Sequence, residues 1–184
     1  MALALSRPQL VRSLLVVDSA PTERYLKRLE EPDFSTAHVP ALLASVDLAP
    51  FNRHQHNSLS DSRRELDAAL AALIPEAAAR AFLLTSLHLR DAGVAGEKQL
   101  AWKFNLPVIA SQMRDIFRFP MHQLRGRRFE KPTLFVDGSL SNYIVHALDA
   151  PLICEFFPHA QFRTVQGAGH WSACTPSRLH VHES

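Results

Sequence analysis

Two residues far apart in the chain have the types and settings for proton chemistry. Asp18 directly follows the apolar run Leu14-Leu-Val-Val17. His170 lies in Val165-Gln-Gly-Ala-Gly-His-Trp171, after the run Phe162-Arg-Thr-Val165. A histidine among small residues can be approached closely by backbone and by substrate. A carboxylate and an imidazole form the orienting half of a Ser-His-Asp mechanism. The carboxylate fixes the ring tautomer, and the ring accepts the serine proton. Each residue also has a plainer use. Histidine after Gly-x-Gly can serve as a loop residue, and aspartate before a turn can cap the next helix. The chain holds ten histidines, including His54, His56, His180 and His182. No His-Glu-x-x-His pattern links them, so a metal site has no support. Trp171, Tyr25 and Tyr143 are read as packing residues rather than pocket walls.

The elements that would position Asp18 and His170 follow from hydrophobic patterning. Leu14–Val17 is short, apolar and β-branched, and reads as a buried strand. Thr133-Leu-Phe-Val136 is a second strand, set between Lys131-Pro132 and Asp137-Gly138. Phe162–Val165 is a third, stopped by Gly167-Ala-Gly169. The spacing between them predicts a helix over 146–157, with Leu148, Leu152 and Phe156 on one stripe and Pro158 closing it. Strand, helix, strand at this spacing is a parallel βαβ unit, its strands apolar on both faces. Between the first and second strands, residues 22–121 read as mostly helical. Ser62 and Glu65 have capping-box spacing, with Leu66, Leu70, Leu73 and Ile74 behind them. Pro75-Glu76 opens a helix carrying Ala79, Phe82, Leu83 and Leu87. Leu106–Phe117 is a third helix, and Trp102-Lys-Phe104 a short strand. A helical insert in a parallel frame suggests a lid over the strand ends, where ligands of open α/β sheets bind.

Composition excludes several classes. The chain has 184 residues, 47% apolar and 21% charged, which suggests one soluble domain or most of one. Its longest stretch free of Asp, Glu, Lys and Arg, 164–177, is polar, so no membrane span is expected. Twenty basic against 18 acidic residues leave no nucleic-acid footprint, and Arg125-Gly-Arg127-Arg128 reads as a solvated loop. Cys154 and Cys174 make neither a disulfide framework nor a zinc pair. Residues 1–17 carry Arg7 and Arg12 without acids, a faint transit-peptide composition. A short helix from Met1 to Ser6 broken at Arg7-Pro8 is the preferred reading.

Val165-Gln-Gly-Ala-Gly-His-Trp171, with Phe157-Pro-His-Ala160 before it, resembles the end of an α/β-hydrolase domain. Residues 5–21 are similar to the segment after the nucleophile elbow there, and Trp102-Lys-Phe-Asn-Leu106 is similar to a lid motif. Three motifs in the family's order, over residues 1–176, resemble the subgroup of α/β-hydrolase domain-containing protein eleven and its bacterial esterase relatives. The resemblance implies an ester- or thioester-cleaving serine hydrolase without metal or organic cofactor, acting on a small acyl ester or lipid-like substrate. On its pattern His170 matches the base and Asp18 the acid. Asp137 is the alternative acid, because many members place it after the next strand. Where the subgroup usually reads Gly-Gly-Asn-Ser, this chain reads Asp137-Gly-Ser-Leu-Ser-Asn142.

The nucleophile has no match. The chain's glycines, at 93, 96, 126, 138, 167 and 169, enclose no serine at Gly-x-Ser-x-Gly spacing, and no His-Gly dipeptide supplies an oxyanion loop. The expectation is the C-terminal part of an α/β-hydrolase fold: three parallel strands, a lid insert over about 22–121 and a divergent tail at 177–184. The nucleophile would then precede Met1, and Met1–Ser6 would be the rest of the helix that the elbow opens. The chain alone is expected to lack useful hydrolase activity. A non-catalytic interaction protein derived from a hydrolase is the alternative. The edge of Leu14–Val17 should lack its neighbour and invite self-association, and the last strand should be partly bare. An alternative transcript, a partial gene model and a decayed copy all fit. The resemblance implies a mitochondrial location; the chain as given, with no targeting peptide, implies a cytoplasmic one.

Overall fold

The structure, a computed structural model, describes residues 1–30, 35–52, 58–93 and 97–170. The expectations for Trp171 and for the 177–184 tail lie outside these residues, as do His54, His56, Cys174, His180 and His182. The chain divides into two compact units. One is Met1–Glu30 with the chain from Phe117 on, and the other is Glu31–Ile116.

The first unit contains a parallel three-stranded sheet. Helix α1 (Ala2–Ser6) precedes strand β1 (Leu14–Val17), and α2 (Arg24–Arg28) follows it. The other unit comes next in the chain. Its elements are α3 (Ser35–Ser45), α4 (Leu59–Leu70), α5 (Ala77–Leu84), β2 (Leu87–Asp91), β3 (Lys98–Trp102), α6 (Leu106–Ser111) and α7 (Met113–Ile116). The first unit resumes with α8 (Met121–Leu124), β4 (Thr133–Gly138), α9 (His146–Phe156) and β5 (Ala160–Val165). The order is β1-β4-β5. Leu14 pairs with Thr133 and Val17 with Val136; Thr133 pairs with Ala160 and Gly138 with Val165. Among the described residues no strand adjoins the outer edge of β1.

The core under this sheet is aromatic. Phe129, Phe135 and Phe157 are fully buried, and Phe157 meets the other two edge to face. Ala4, Leu5, Val16 and Ile153 belong to the same cluster. Burying each large apolar side chain contributes about 1.5–3 kcal/mol. The sheet is not sandwiched as its apolar strands suggest: Leu15 is 62% and Val17 49% exposed. Gln161 and Arg163 of β5 also face solvent. Helix α9 forms where expected, but its buried stripe is Asp149, Ile153 and Phe156, while Leu148 is 63% exposed. The stripe is displaced because Asp149 accepts hydrogen bonds from Arg24 Nη2 at 2.6 Å and Val145 N at 2.7 Å. A charge so satisfied can occupy a position that an apolar pattern assigns to leucine. Strand β4 runs on through Asp137 and Gly138, past the expected end at Val136.

The second unit adds a β-hairpin to the mostly helical expectation. Leu87–Asp91 and Lys98–Trp102 pair antiparallel, Leu87 opposite Trp102. Leu87 is therefore a strand residue, and Trp102 ends a strand instead of beginning one at 102–104. Helix α5 stops before Leu87 because Thr85 and Ser86 turn their hydroxyls back onto the Phe82 and Leu83 carbonyls, both at 2.6 Å. The capping box is Ser58 with Asp61, not Ser62 with Glu65. Asp61 accepts from both the backbone N and the hydroxyl of Ser58, so the helix opens one turn early and Ser62 is buried inside it. The expected helix over 106–117 is two short ones, divided at Gln112. The unit's interior is aliphatic, with Leu43, Leu66, Leu70 and Leu87 fully buried. Arg63 braces it by donating to the Leu84 and Leu87 carbonyls.

Candidate active site

The site is assembled by loops at the carboxyl ends of β1, β4 and β5. Asp18 continues β1 by one backbone bond, its N donating to the Val136 carbonyl at 2.7 Å. Its φ is then +47°, in the left-handed region, which costs a non-glycine residue about 1–2 kcal/mol and which aspartate tolerates better than most. This turn leaves its carboxylate buried. Asp18 does not cap α2, whose N-cap is Glu23.

His170 is brought in by the loop after β5. Ser139 N donates to the Val165 carbonyl at 3.0 Å, and Gly167 N donates to Ser139 Oγ at 2.8 Å. Leu140 N donates to the Ala168 carbonyl at 2.9 Å. The loops after β4 and β5 are thereby joined. Gly138 makes this possible, since a Cβ there would collide with the Ala168 carbonyl. Two residues later, His170 Nδ1 lies 2.7 Å from Asp18 Oδ2. An ionised carboxylate only accepts, so Nδ1 carries the hydrogen and the ring's basic lone pair is on Nε2. The His170 side chain is 30% exposed. Its ring stacks on Tyr143, with centroids 3.8 Å apart and planes 10° from parallel.

Asp137 is placed in a different pair. His146 Nε2 lies 3.1 Å from its Oδ2, and Thr164 Oγ1 donates to its Oδ1 at 3.0 Å. The structure thus brings Asp18 to His170 and leaves Asp137 with His146, at the start of α9.

Several residues that the sequence did not mark as site residues hold the site. Ser141 Oγ donates to Asp18 Oδ2 at 2.6 Å. Tyr25, buried, receives Ala20 N on its hydroxyl at 3.0 Å and donates to the Tyr143 carbonyl at 2.6 Å. Burial, against the hydrogen bond from Ala20, pushes its phenol from the ordinary 10.0 up to about 12. Arg24 Nη2 donates to the same Tyr143 carbonyl at 2.9 Å and pairs with Asp149. Both tyrosines pack as expected, at interplanar 46° to each other. In the sequence Tyr25 and Tyr143 were legible only as packing residues; the Arg24–Asp149 pair, part-buried, spans 125 residues and left no signal. A cleft of about 420 Å³ lies between Glu23, Met121, His122, Arg125, Glu155 and Phe156, and none of Asp18, Asp137 and His170 lines it.

No family model matches the chain. It is 32% identical over 171 residues to the mouse protein named sn-1-specific diacylglycerol lipase ABHD11, an alignment covering 93% of this chain and 49% of that one. The Xenopus laevis protein of the same name is also 32% identical, over 93% and 48%. Esterase YbfF of Escherichia coli K12 is 27% identical over 140 residues, 70% of this chain and 50% of that one. The chain spans about half the length of the curated relatives it matches. Among solved structures, a marine microorganism esterase superposes with TM-score 0.70 at 29% identity, covering 94% of this chain and 59% of that one. The structure of E-2-(acetamidomethylene)succinate hydrolase superposes at 0.55 with 22% identity, over 92% and 54%, and shares the fold.

Proposed function

We propose, from the premise that the chain belongs to the α/β-hydrolase superfamily, that it carries the acid and base of an acyl ester hydrolase. The observation that carries this reading is the 2.7 Å contact of Asp18 with His170 Nδ1. Asp18 orients the ring and stabilises the imidazolium, and His170 Nε2 takes the proton of a serine hydroxyl and returns it to the leaving alcohol. Asp137, engaged by His146 and Thr164, is the weaker candidate for the acid. The names of the relatives point to esters of lipid-like character as substrates. The insert over about 22–121 would form the lid.

The sequence holds no Gly-x-Ser-x-Gly, and loss of a nucleophile costs on the order of 10⁶ in turnover. This chain alone is therefore inactive, and the hydrolytic function is that of a protein in which a serine elbow adjoins it. Incubating the purified chain with a fluorophosphonate probe tests the first point; strong labelling of any serine overturns it. Adding the part of the mouse relative that this chain does not cover tests the second. Labelling of the supplied serine should appear and vanish with His170→Ala, and labelling indifferent to His170 ends its role as base.

The exposed Leu15 and Val17 beside the outer edge of β1 favour a second reading, a non-catalytic interaction protein that self-associates there. Light scattering should then give a mass above 20.6 kDa that falls to the monomer with Leu15→Lys. No helix among the described residues is long and apolar enough to cross a membrane. A mitochondrial location is proposed on the resemblance to the subgroup, and imaging of the tagged chain tests it.

A further inference from the structure

We propose that Ser141 and Tyr143, on the turn after β4, are positioning residues that hold the Asp18–His170 pair in its working tautomer. The inference rests on the reading of that pair as acid and base. Ser141 Oγ touches two groups of opposite character. The Tyr143 N–H, at 3.2 Å, can only donate, and the Asp18 carboxylate, at 2.6 Å, can only accept. The hydroxyl hydrogen must therefore point at Asp18 Oδ2. That oxygen also receives His170 Nδ1. Two donors on one oxygen fix the carboxylate rotamer, and with it the direction in which the imidazole must present its N–H.

A hydrogen bond fixes a ring's direction but leaves rotation about that bond soft. The stack on Tyr143, 10° from parallel, removes this remaining freedom. Tyr143 is itself held by its carbonyl, which accepts from Tyr25 Oη and Arg24 Nη2. Ser141 thus sets the aspartate and Tyr143 sets the plane of the histidine. Both act through other side chains, so neither is a catalytic residue.

The test is the protonation pattern of the imidazole nitrogens, read by long-range ¹H–¹⁵N NMR on the full chain at neutral pH. His170 should show an Nδ1–H form. His146, whose Nε2 donates to Asp137, should show the opposite form and serves as an internal reference. Ser141→Ala should erase the His170 Nδ1–H signal, or speed its exchange with water about tenfold, the value of one charge-assisted hydrogen bond. Ser141→Thr should restore it. Tyr143→Leu should broaden the ring signals, and Tyr143→Phe should not. In every variant the His146 pattern should stay constant, which separates positioning from general loosening of the fold. Asp18→Asn is the arm that tests the pair itself. If Asp18→Asn leaves His170 unchanged, the acid–base pairing is wrong. If Asp18→Asn alters His170 but Ser141→Ala and Tyr143→Leu do not, the pairing stands and the positioning proposal is overturned.

Discussion

Asp18–His170 and Asp137–His146 are built from the same two groups, and the chain joins them in different ways. The first pair bridges 152 residues and depends on three strand-end loops meeting. The second bridges nine, from the end of β4 to the first turn of α9. In the first, aspartate takes Nδ1 of a ring clamped against Tyr143. In the second, aspartate takes Nε2 of a ring that is 44% exposed and meets Phe162 edge-on. A long-range pair can be braced from every side because its surroundings come from separate segments. A local pair has only its own loop and neighbouring strand. Proton chemistry needs the braced kind, since a base must keep one tautomer while its partner atoms move.

The largest expected effect erases both pairs together. Phe135 is fully buried in the middle of β4, opposite Val16 and Phe162. Phe135→Ala should cost about 3–5 kcal/mol in urea unfolding and abolish both carboxylate–imidazole contacts. Gly138→Ala should separate them. The new methyl collides with Ala168, so about 1–3 kcal/mol is lost and the loop carrying His170 is displaced. The His146 NMR pattern should survive and that of His170 should not.

Tyr25→Phe should act on the braced pair alone, at about 1–2 kcal/mol near neutral pH for the two lost bonds, to the Tyr143 carbonyl and from Ala20 N. It also has a pH signature. Burial raises the Tyr25 phenol from 10.0 to about 12 in the folded chain. The folded state thus prefers the protonated phenol, and this preference is fully present below pH 10 and lost as pH rises through about 12. Unfolding free energy should fall across that window in the natural sequence and fall less in Tyr25→Phe. The smallest effect should come from Asp137→Asn, about 0.5–1 kcal/mol, with His170 unmoved. A change in the His170 signals on altering Asp137 would show that the two pairs are coupled and that their contrast is false.

Much of this was legible in the residues themselves. The apolar runs at 14–17, 133–136 and 162–165 specified three strands because a buried strand needs little more than short β-branched stretches with breakers at their ends. Helix α9 was legible from its length and its closing Pro158. Asp18 and His170 stood out as candidates because Asp18 directly follows one such run and His170 lies five residues past the end of another. Tertiary structure decided what those local patterns leave open. It chose Asp18 over Asp137 as the partner of His170, by joining the loops after β4 and β5 over Gly138. It turned α9 to bury Asp149 where a leucine stripe was expected, because Arg24, 125 residues away, supplied the matching charge. It recruited Ser141 and Tyr143 as supports. Periodicity records which side chains avoid water. It does not record which distant polar atom satisfies which, and such pairings determine the geometry of a site.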